Sequence, residues 1–514
     1  MTMPRLPRDD KKHHTKRKKS SPASKFSAKS TAPLLFLIFV NALLLLSSFK
    51  KNSLVPSLSF ALLQSYIVTD SDSRNLSSES TNATTLLSTS NSSSPTPSKP
   101  GKPAVAEVAY LLSVTGCVPK FRRTLFDAAS VLKRSVERNS YPLHPEAKYV
   151  PKFYAIFSNA GDQHPECVKH MKMAGYTVKI FDLPVLPEQI DNETHGSFLR
   201  DSIARDGCCG HLELLKLHAW SMTDYPVAVH LDFDTLLLHP LDELLDAIFY
   251  PPHTPEGMRA RDHLQREHII APTYRPTTPI KDMTIDAFYT KDYNMIPPGR
   301  EHAIGIQGGF FVVRPNTTKR EELANMVKTG HFIGGFSGSG TGWFGTGYGK
   351  HIWGSMTIQG LLAYYFDQVT HDTSIELHRC KFNSIADNPR RSSFDPRGKY
   401  PRGTSVNASA DWHDTTCRDG RENCDDVQCQ TWPVEDTRLF HYTYCKVPWN
   451  CRTIHPTNYF LYDETCKHMI HQWFEVRKTV PGQGVESTAA NGQHQSELYL
   501  GYCRNENEYI FINQ

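Results

Sequence analysis

The sequence predicts an α/β fold built on an open, mostly parallel sheet. From about residue 105 onward, apolar segments typical of strands alternate with segments typical of helices. These strands are apolar on both faces, as is usual for parallel strands covered by helices. A pair of carboxylates, Asp232 and Asp234, follows the fourth strand. Ligands of such sheets bind at the carboxyl ends of strands, so we expect the functional site there.

The predicted elements follow one another in a regular order. Val, Ile, Leu and aromatic residues mark the strands, and apolar residues at helical spacing mark the helices. The predicted strands are "EVAYLLSV" (107–114), "KFYAIFS" (152–158), "YTVKIFDL" (176–183) and "PVAVHLD" (226–232). The predicted helices are "RRTLFDAASVLKRSV" (122–136), "PECVKHMKMAG" (165–175) and "GHLELLKLHAWSM" (210–222).

The carboxylate pair suggests a metal site. Residues two apart point to the same face of a strand, so we expect His230, Asp232 and Asp234 to share one side. Carboxylate oxygens at that spacing suit Mg²⁺ or Mn²⁺, which also take phosphate oxygens as ligands. The alternative is two exposed aspartates in a turn before "HPLDELLD" (239–246), whose acidic residues favour a helix N-terminus.

The N-terminal region predicts a membrane anchor. Residues 1–31 form a basic tail, with ten Lys or Arg before residue 31. Residues 32–49 include the uncharged run "PLLFLIFVNALLLLSSF", which approaches the roughly 20 apolar residues that span a bilayer. The charge difference across this run predicts a cytosolic N-terminus and a lumenal remainder. This arrangement argues against a nucleic-acid-binding role for the basic tail, and a cleaved signal peptide is the competing interpretation.

The rest of the chain is consistent with a lumenal protein. Residues 50–103 are rich in Ser and Thr and contain the sequons at Asn75, Asn82 and Asn91, which predicts a solvated, glycosylated stem. All twelve cysteines lie beyond residue 116, and six of them fall between Cys417 and Cys466 without a C-x-x-C pair. Disulfides of undetermined connectivity are therefore favoured over a zinc ribbon.

Four blocks in order resemble glycosyltransferase family 8, the glycogenin-like retaining transferases of the GT-A fold. The most specific block is "LKLHAWSMTDYPVAVHLDFDTLLLHPLDELLD" (215–246). The others are "VAYLLSVTGCVPKFRRTLFDAASVLKRS" (108–135), "GIQGGFFVVRPN" (305–316) and "HYTYCKVPWNC" (441–451). The resemblance implies a GT-A domain over residues 104–475, with residues 476–514 as a C-terminal extension. It also implies a type II Golgi or endoplasmic reticulum membrane protein.

The resemblance implies a Mn²⁺-dependent (or Mg²⁺-dependent) transferase that moves a hexose or pentose from a UDP-sugar to a carbohydrate, glycolipid or glycoprotein acceptor, with retention. The metal ligands would be Asp232, Asp234 and His441. The residues implied for catalysis are Asp232, Asp234, Lys216, Gln307 and Gln359. The residues implied for donor binding are Leu111, Ser113, Lys216, Asp232, Phe233 and Lys446.

The chain departs from the family pattern at three positions of the implied site. Tyr444 stands where many members have Gly. Val447 stands where the family has Lys before Pro-Trp, with Lys446 one residue earlier. Ile358, in "TIQGLL", stands where an Asp is common, so the nucleophile or acceptor-side base is left unassigned. A catalytically inactive lumenal lectin or scaffold on the same fold is therefore the alternative to an active transferase.

Overall fold

The computed structural model describes residues 106–117, 122–159, 165–191, 195–295, 303–335, 340–389, 417, 421–423, 428–452, 464–481, 496–505 and 508–512. The predicted tail (1–31), membrane anchor (32–49) and stem (50–103) lie outside these residues. Among the described residues, none of the helices has the length and apolar character that a bilayer span requires.

A seven-stranded sheet forms the centre of the fold. Its strands are β1 (Glu107–Val114), β2 (Val150–Ser158), β3 (Thr177–Phe181), β4 (Ala228–Leu231), β6 (Ala287–Lys291), β7 (Ile306–Val313) and β10 (Ser374–Glu376). Their order across the sheet is β10-β6-β7-β4-β1-β2-β3. Only β7 runs antiparallel to its two neighbours. The predicted open, mostly parallel α/β sheet is confirmed.

Shorter strands and the helices complete the fold. The remaining strands are β5 (Thr235–Leu237), β8 (Phe332–Ile333), β9 (Gly342–Trp343), β11 (Leu439–His441), β12 (Cys503–Asn505) and β13 (Glu508–Tyr509). The α-helices are α1 (Arg122–Arg138), α2 (Pro165–Met173), α3 (Gly196–Ser202), α4 (Asp242–Phe249), α5 (Pro255–Arg266), α6 (Thr317–Thr329), α7 (Ile358–Tyr364), α8 (Glu464–Lys478) and α9 (Ser496–Tyr499). A π-helical turn, Tyr365–Val369, continues α7. Short 3₁₀ helices span Pro187–Gln189, Ile203–Arg205, Ile280–Asp282, Tyr293–Met295, Cys429–Thr431, Val434–Asp436 and Pro448–Asn450, and a longer one spans Gly210–Ser221.

Apolar side chains cover both faces of the sheet. In β1, Ala109 and Leu111 pack into one core layer, and Val108 and Tyr110 pack into the layer on the other face. Alternate residues of a strand point to opposite faces, so one short apolar run contributes to both layers. β4 is buried on both faces in the same way, so its carboxyl end is held within the sheet.

The segment 210–221 is helical, as predicted, but its hydrogen bonding is of the 3₁₀ type. The side chains of residues three apart are nearly eclipsed in such a helix. Leu214, Leu217 and Trp220 follow that spacing, and all three are buried. The same spacing aligns Glu213 with Lys216, which form an ion pair at 2.8 Å.

Four disulfides join cysteines of the described residues, in agreement with the sequence prediction. They link Cys117 to Cys167, Cys380 to Cys429, Cys445 to Cys466, and Cys451 to Cys503. The predicted boundary after residue 475 falls inside α8. Tyr499, Cys503 and Tyr509 belong to the same core cluster as α8, so this part of the predicted extension packs on the main fold.

Candidate active site

The two aspartates lie in a tight turn that joins β4 to β5. β4 ends at Leu231, and the amide of Thr235 donates to the carbonyl of Asp232 at 3.1 Å. The Thr235 hydroxyl donates to the same carbonyl at 2.8 Å. The expectation of one continuous strand face through Asp234 is therefore wrong, because the chain turns after Leu231.

His230 lies apart from Asp232 and Asp234, although the sequence predicts that the three residues share one face of the strand. Its ring is buried, stacks on Phe311 with centroids 4.9 Å apart, and lies 3.2 Å from the Ser113 hydroxyl. Burial, together with the charge of Lys216, lowers the pKa of His230 to about 3. His230 is therefore a neutral core residue that links the ends of β1 and β4.

Pairing between distant strands brings His441 to the aspartates. β11 pairs antiparallel with β5 and places His441 opposite Thr235. The amide of Tyr442 donates to the carbonyl of Asp234 at 2.8 Å. As a result, one ligand atom from each of Asp232, Asp234 and His441 lies within 4.8 Å of the other two.

The surroundings of His441 indicate which ring nitrogen is free. The Asn383 amide nitrogen donates to the Thr290 hydroxyl at 3.1 Å and to the Gln307 carbonyl at 3.2 Å. Its amide oxygen therefore accepts from His441 Nδ1 at 3.0 Å. The Nε2 lone pair then faces Asp234 Oδ1 at 3.3 Å. Two acceptors at that distance repel each other unless a proton or a cation lies between them.

Gly309 leaves the space that the His441 ring occupies. A Cβ atom at Gly309 would lie 2.2 Å from His441 Cε1 and 2.6 Å from Nδ1. The Gly309 carbonyl also accepts from the Asp232 amide at 2.9 Å. One glycine of β7 therefore contacts both the turn that carries Asp232 and the imidazole.

Lys216 supplies a permanent positive charge beside Asp232. Its ammonium lies 3.0 Å from the Asp232 carboxylate and 2.8 Å from Glu213, and it donates to the Gly308 carbonyl at 3.1 Å. Burial lowers the pKa of Lys216, but the charges of Asp232 and Glu213 outweigh it and raise the pKa above its ordinary value. Lys216 is thus a buried cation of the site and not an exposed helix charge.

Gln307 and Asp292 extend the site along the sheet edge. The Gln307 amide oxygen accepts from the Gly309 amide at 3.0 Å, and its nitrogen donates to Asp292 at 3.2 Å. Asp292 is buried and directly follows β6. Sequence reasoning missed this carboxylate, although β6 runs parallel to β4 and so ends at the same edge of the sheet.

The structure places the remaining candidate residues on separate elements. Ser113 lies near the end of β1, Phe233 lies in the turn between Asp232 and Asp234, and Leu111 is buried in the middle of β1. Gln359 is half-buried at the start of α7, where its amide nitrogen lies 3.4 Å from the Ile306 carbonyl. Ile358 is fully buried in the core, and no carboxylate stands in its place. Lys446 is half-buried in a left-handed conformation (φ 66°) after Cys445.

Comparison with known proteins finds no family model and no curated protein that matches this chain. It is similar to the apo structure of WbbM, a bifunctional glycosyltransferase, with 11% identity and a TM-score of 0.34. That match covers 74% of this chain and 51% of the other, so the chain spans about half of that protein.

Two further structures are similar at the same level. The galactosyltransferase LgtC, in complex with donor and acceptor sugar analogues, has 11% identity and a TM-score of 0.32, over 74% of this chain and 98% of that one. Mouse xyloside xylosyltransferase 1, in its apo form, has 11% identity and a TM-score of 0.29, over 55% of this chain and 87% of that one.

Proposed function

We propose that this chain is a retaining glycosyltransferase of the GT-A fold that transfers a hexose or pentose from a UDP-sugar with the help of Mn²⁺. The observation that carries the proposal is the convergence of Asp232, Asp234 and His441 at the carboxyl end of β4. The order of the four sequence blocks that resemble family 8 supports the same assignment.

The donor set fits a divalent ion. Two carboxylates and the free Nε2 of His441 face one another across distances that a cation would bridge. Carboxylates suit Mn²⁺ and Mg²⁺, and the imidazole favours Mn²⁺ because Mg²⁺ prefers oxygen ligands. The Asp232 side chain is 28% exposed while Asp234 and His441 are nearly buried, so the set opens toward solvent on the Asp232 side. When bound, the ion would neutralise charge that develops on the diphosphate leaving group.

The residues around the metal set have separate roles in this proposal. Lys216 holds the Asp232 carboxylate in place and keeps a positive charge next to the diphosphate position. Gln307 and Asp292, joined by a hydrogen bond of 3.2 Å, would orient the donor sugar through its hydroxyls.

Gln359 is close to Gly308, where an added Cβ would lie 3.1 Å from Gln359 Cγ, and would contact the sugar from α7. Ser113, Phe233 and Lys446 would contact the nucleotide.

The compartment and the acceptor are part of the proposal. A Golgi or endoplasmic reticulum membrane protein, with its catalytic domain in the lumen, is supported by the basic tail followed by an apolar run. The four disulfides suit an oxidising lumen. The acceptor would be a carbohydrate, glycolipid or glycoprotein.

A second candidate function is a sugar-binding protein without transfer activity. It is favoured by Ile358, a fully buried apolar side chain where the family pattern has a carboxylate. Such a protein would bind glycans without consuming a nucleotide sugar.

UDP release distinguishes the two candidates. We would incubate the purified full-length chain with a panel of UDP-sugars, with Mn²⁺ or with EDTA, and measure free UDP. A transferase is expected to hydrolyse at least one donor slowly in Mn²⁺ and none in EDTA. Glycan binding that is equal in both buffers, with no UDP release from any donor, would instead establish the binding protein.

A further inference from the structure

Two adjacent cysteines, Cys208 and Cys209, differ from the cysteines that form the four disulfides. Neither takes part in a disulfide, yet their sulfur atoms are only 2.8 Å apart. Cys208 is exposed and Cys209 is half-buried, so a small reagent can reach the pair. They lie directly before the Gly210–Ser221 helix, which carries Glu213 and Lys216.

The turn that carries the pair depends on a glycine on each side. Gly207 and Gly210 both have left-handed backbone conformations, with φ of 65° and 59°. A Cβ atom at Gly210 would lie 2.2 Å from the Ala204 carbonyl oxygen, so that position accepts no larger residue without a shift of the backbone. The turn therefore holds the two cysteine side chains next to each other.

The two sulfur atoms have different hydrogen-bond partners. The Thr115 hydroxyl donates to the Cys209 sulfur at 3.2 Å. The Cys208 thiol donates to the Glu213 carboxylate at 3.0 Å. The neighbouring Cys208 sulfur and the Thr115 hydroxyl lower the pKa of Cys209, in opposition to burial. Its own contact with Cys209, burial and the charge of Glu213 raise the pKa of Cys208, so Cys209 is the better nucleophile.

We propose that Cys208 and Cys209 form a thiol–disulfide exchange site, at which a small-molecule disulfide reversibly converts the pair into a vicinal disulfide. The Cys209 thiolate attacks one sulfur of the small disulfide and forms a mixed disulfide, which releases one thiolate. Cys208 then gives its proton to the released thiolate and attacks the Cys209 sulfur, which releases the second thiolate. Two electrons and two protons pass from the two cysteines to the small disulfide, which leaves as two thiols.

The short backbone separation makes this disulfide easy to reduce. Adjacent Cα atoms are about 3.8 Å apart, below the roughly 4.4–6.8 Å that unstrained disulfides span. The four disulfides of the fold have Cα separations between 4.8 and 6.2 Å. Strained and exposed disulfides have the more oxidising potentials, so the Cys208–Cys209 bond should open before the other four.

The exchange site is connected to the proposed metal ligands through two side chains, Glu213 and Lys216. Glu213 accepts from Cys208 through one oxygen and pairs with Lys216 through the other, at 2.8 Å. Lys216 in turn pairs with Asp232 at 3.0 Å. Oxidation removes the hydrogen bond from Cys208, so Glu213 attracts Lys216 more strongly and Asp232 becomes more available to a metal ion. This consequence rests on the proposed function, whereas the exchange chemistry itself does not.

Peptide mapping tests the exchange directly. The full chain would be equilibrated in glutathione buffers from reducing to oxidising, quenched with acid, alkylated with iodoacetamide and digested with trypsin. In the most reducing buffer, the peptide that spans residues 206–216 should carry two alkyl groups. In the most oxidising buffer, it should carry none and should be lighter by two hydrogen atoms than the reduced, unalkylated peptide. The four other disulfides should stay closed across the same range.

Matched variants identify the roles of the two thiols. In Cys208→Ser, Cys209 should accumulate glutathione as a mixed disulfide, because the thiol that resolves it is absent. In Cys209→Ser, Cys208 should acquire much less. A wild-type pair that keeps both alkyl groups in the most oxidising buffer would overturn the proposal. Protection of the pair from alkylation by Zn²⁺ alone would also overturn the proposal, because it would indicate a metal site formed with Glu213.

The affinity for Mn²⁺ tests the connection between the cysteine pair and the proposed metal ligands. The concentration of free Mn²⁺ would be measured by electron paramagnetic resonance. The oxidised chain should bind Mn²⁺ about threefold more tightly than the reduced chain. The Cys208→Ser/Cys209→Ser double variant should bind Mn²⁺ equally in both buffers. Equal affinity of the two wild-type forms would overturn the connection. Absence of Mn²⁺ binding in both forms would count against the proposed function and would leave the mapping result unaffected.

Discussion

The ammonium of Lys216 lies 3.0 Å from the Asp232 carboxylate, while the Asp234 carboxylate faces His441 Nε2 at 3.3 Å. The two aspartates of the turn therefore have different partners. One carboxylate is compensated by a permanent cation, and the other faces a lone pair that a proton or a metal ion would satisfy. This asymmetry predicts different consequences when each partner is removed.

Replacing the lysine should destabilise the fold. Lys216→Met keeps the side-chain volume but leaves the buried Glu213 carboxylate and the partly exposed Asp232 carboxylate without their cation. Breaking a buried pair in this way costs about 3 to 5 kcal/mol. The free energy of unfolding, measured by urea denaturation with the disulfides intact, should fall by that amount.

An exposed lysine is the control for that measurement. Lys152 pairs with Glu107 at 2.8 Å, but the two side chains are 42% and 50% exposed. Lys152→Met should leave the urea midpoint nearly unchanged, because exposed pairs contribute little. Equal midpoints for the Lys216 and Lys152 variants would show that Lys216 is not a buried cation.

Removing either aspartate charge should abolish transfer without unfolding the chain. Asp232→Asn and Asp234→Asn keep the shape of the side chain, and loss of the metal should cost several kcal/mol of transition-state stabilisation. The transfer rate would be compared with that of Asp262→Asn, an exposed aspartate on α5. If both site variants keep more than about a tenth of the wild-type rate, only about 1.4 kcal/mol has been lost and the metal assignment fails.

Adding one methyl group to Gly309 should weaken metal binding. The new Cβ would lie 2.2 Å from His441 Cε1, so the imidazole would have to leave the position that Asn383 fixes. Displacing a ligand or its supporting partner typically costs about tenfold or more in metal affinity. Isothermal titration with Mn²⁺ should show this loss in Gly309→Ala. Gly334→Ala, whose Cβ would make an ordinary contact of 3.4 Å with Phe198, should bind as wild type.

Stability should depend on pH through Asp127, which lies under the C-terminal segment. Burial raises the pKa of Asp127 to about 7, although the Ile512 amide donates to it at 2.9 Å and the charge of Arg477 opposes the shift. Between the unfolded pKa near 4 and this value, the folded state holds a proton that the unfolded state has lost, so stability falls as pH rises. The total effect is up to about 4 kcal/mol.

The variant Asp127→Asn removes this dependence. It should be about as stable as wild type near pH 4 and more stable by a few kcal/mol above about pH 7. Urea denaturation of both proteins across that range measures the difference. A difference that stays constant with pH would show that Asp127 does not bind a proton in the folded state.

The central elements could be predicted from sequence because their signals are local. β1 to β4 and the first helices are runs whose apolar spacing matches their secondary structure, and each was identified within a few residues. β10 and β11 have three residues each, too few for a period to appear. The turn after β4 was mistaken for continued strand, because the alternation of residues does not indicate where a strand ends.

The candidate site was only partly predictable for the same reason. His441 was expected from the resemblance alone, since its position depends on β11 pairing with β5 about two hundred residues earlier. Asp292 was missed, although the β-forming run "AFYT" ends just before it and the carboxyl ends of parallel strands share one edge. Once β6 is known, that rule places Asp292 beside the cluster. Sequence pattern alone does not give the hydrogen bond to Gln307.

The last prediction concerns Ile358. Its side chain is fully buried, close to Gly308, so a carboxylate there would have no partner and would destabilise the fold by several kcal/mol. Ile358→Asp should therefore give no gain in transfer rate, whereas Ile358→Leu should cost less than about 1.5 kcal/mol. Without a nucleophile at this position, we expect front-face attack, in which the acceptor hydroxyl approaches on the leaving-group side and its proton passes to the departing phosphate. Mass spectrometry of the protein incubated with a UDP-sugar alone decides the matter. A stable adduct of one sugar on Asp292, absent in Asp292→Asn, would show a covalent intermediate and rule out front-face attack.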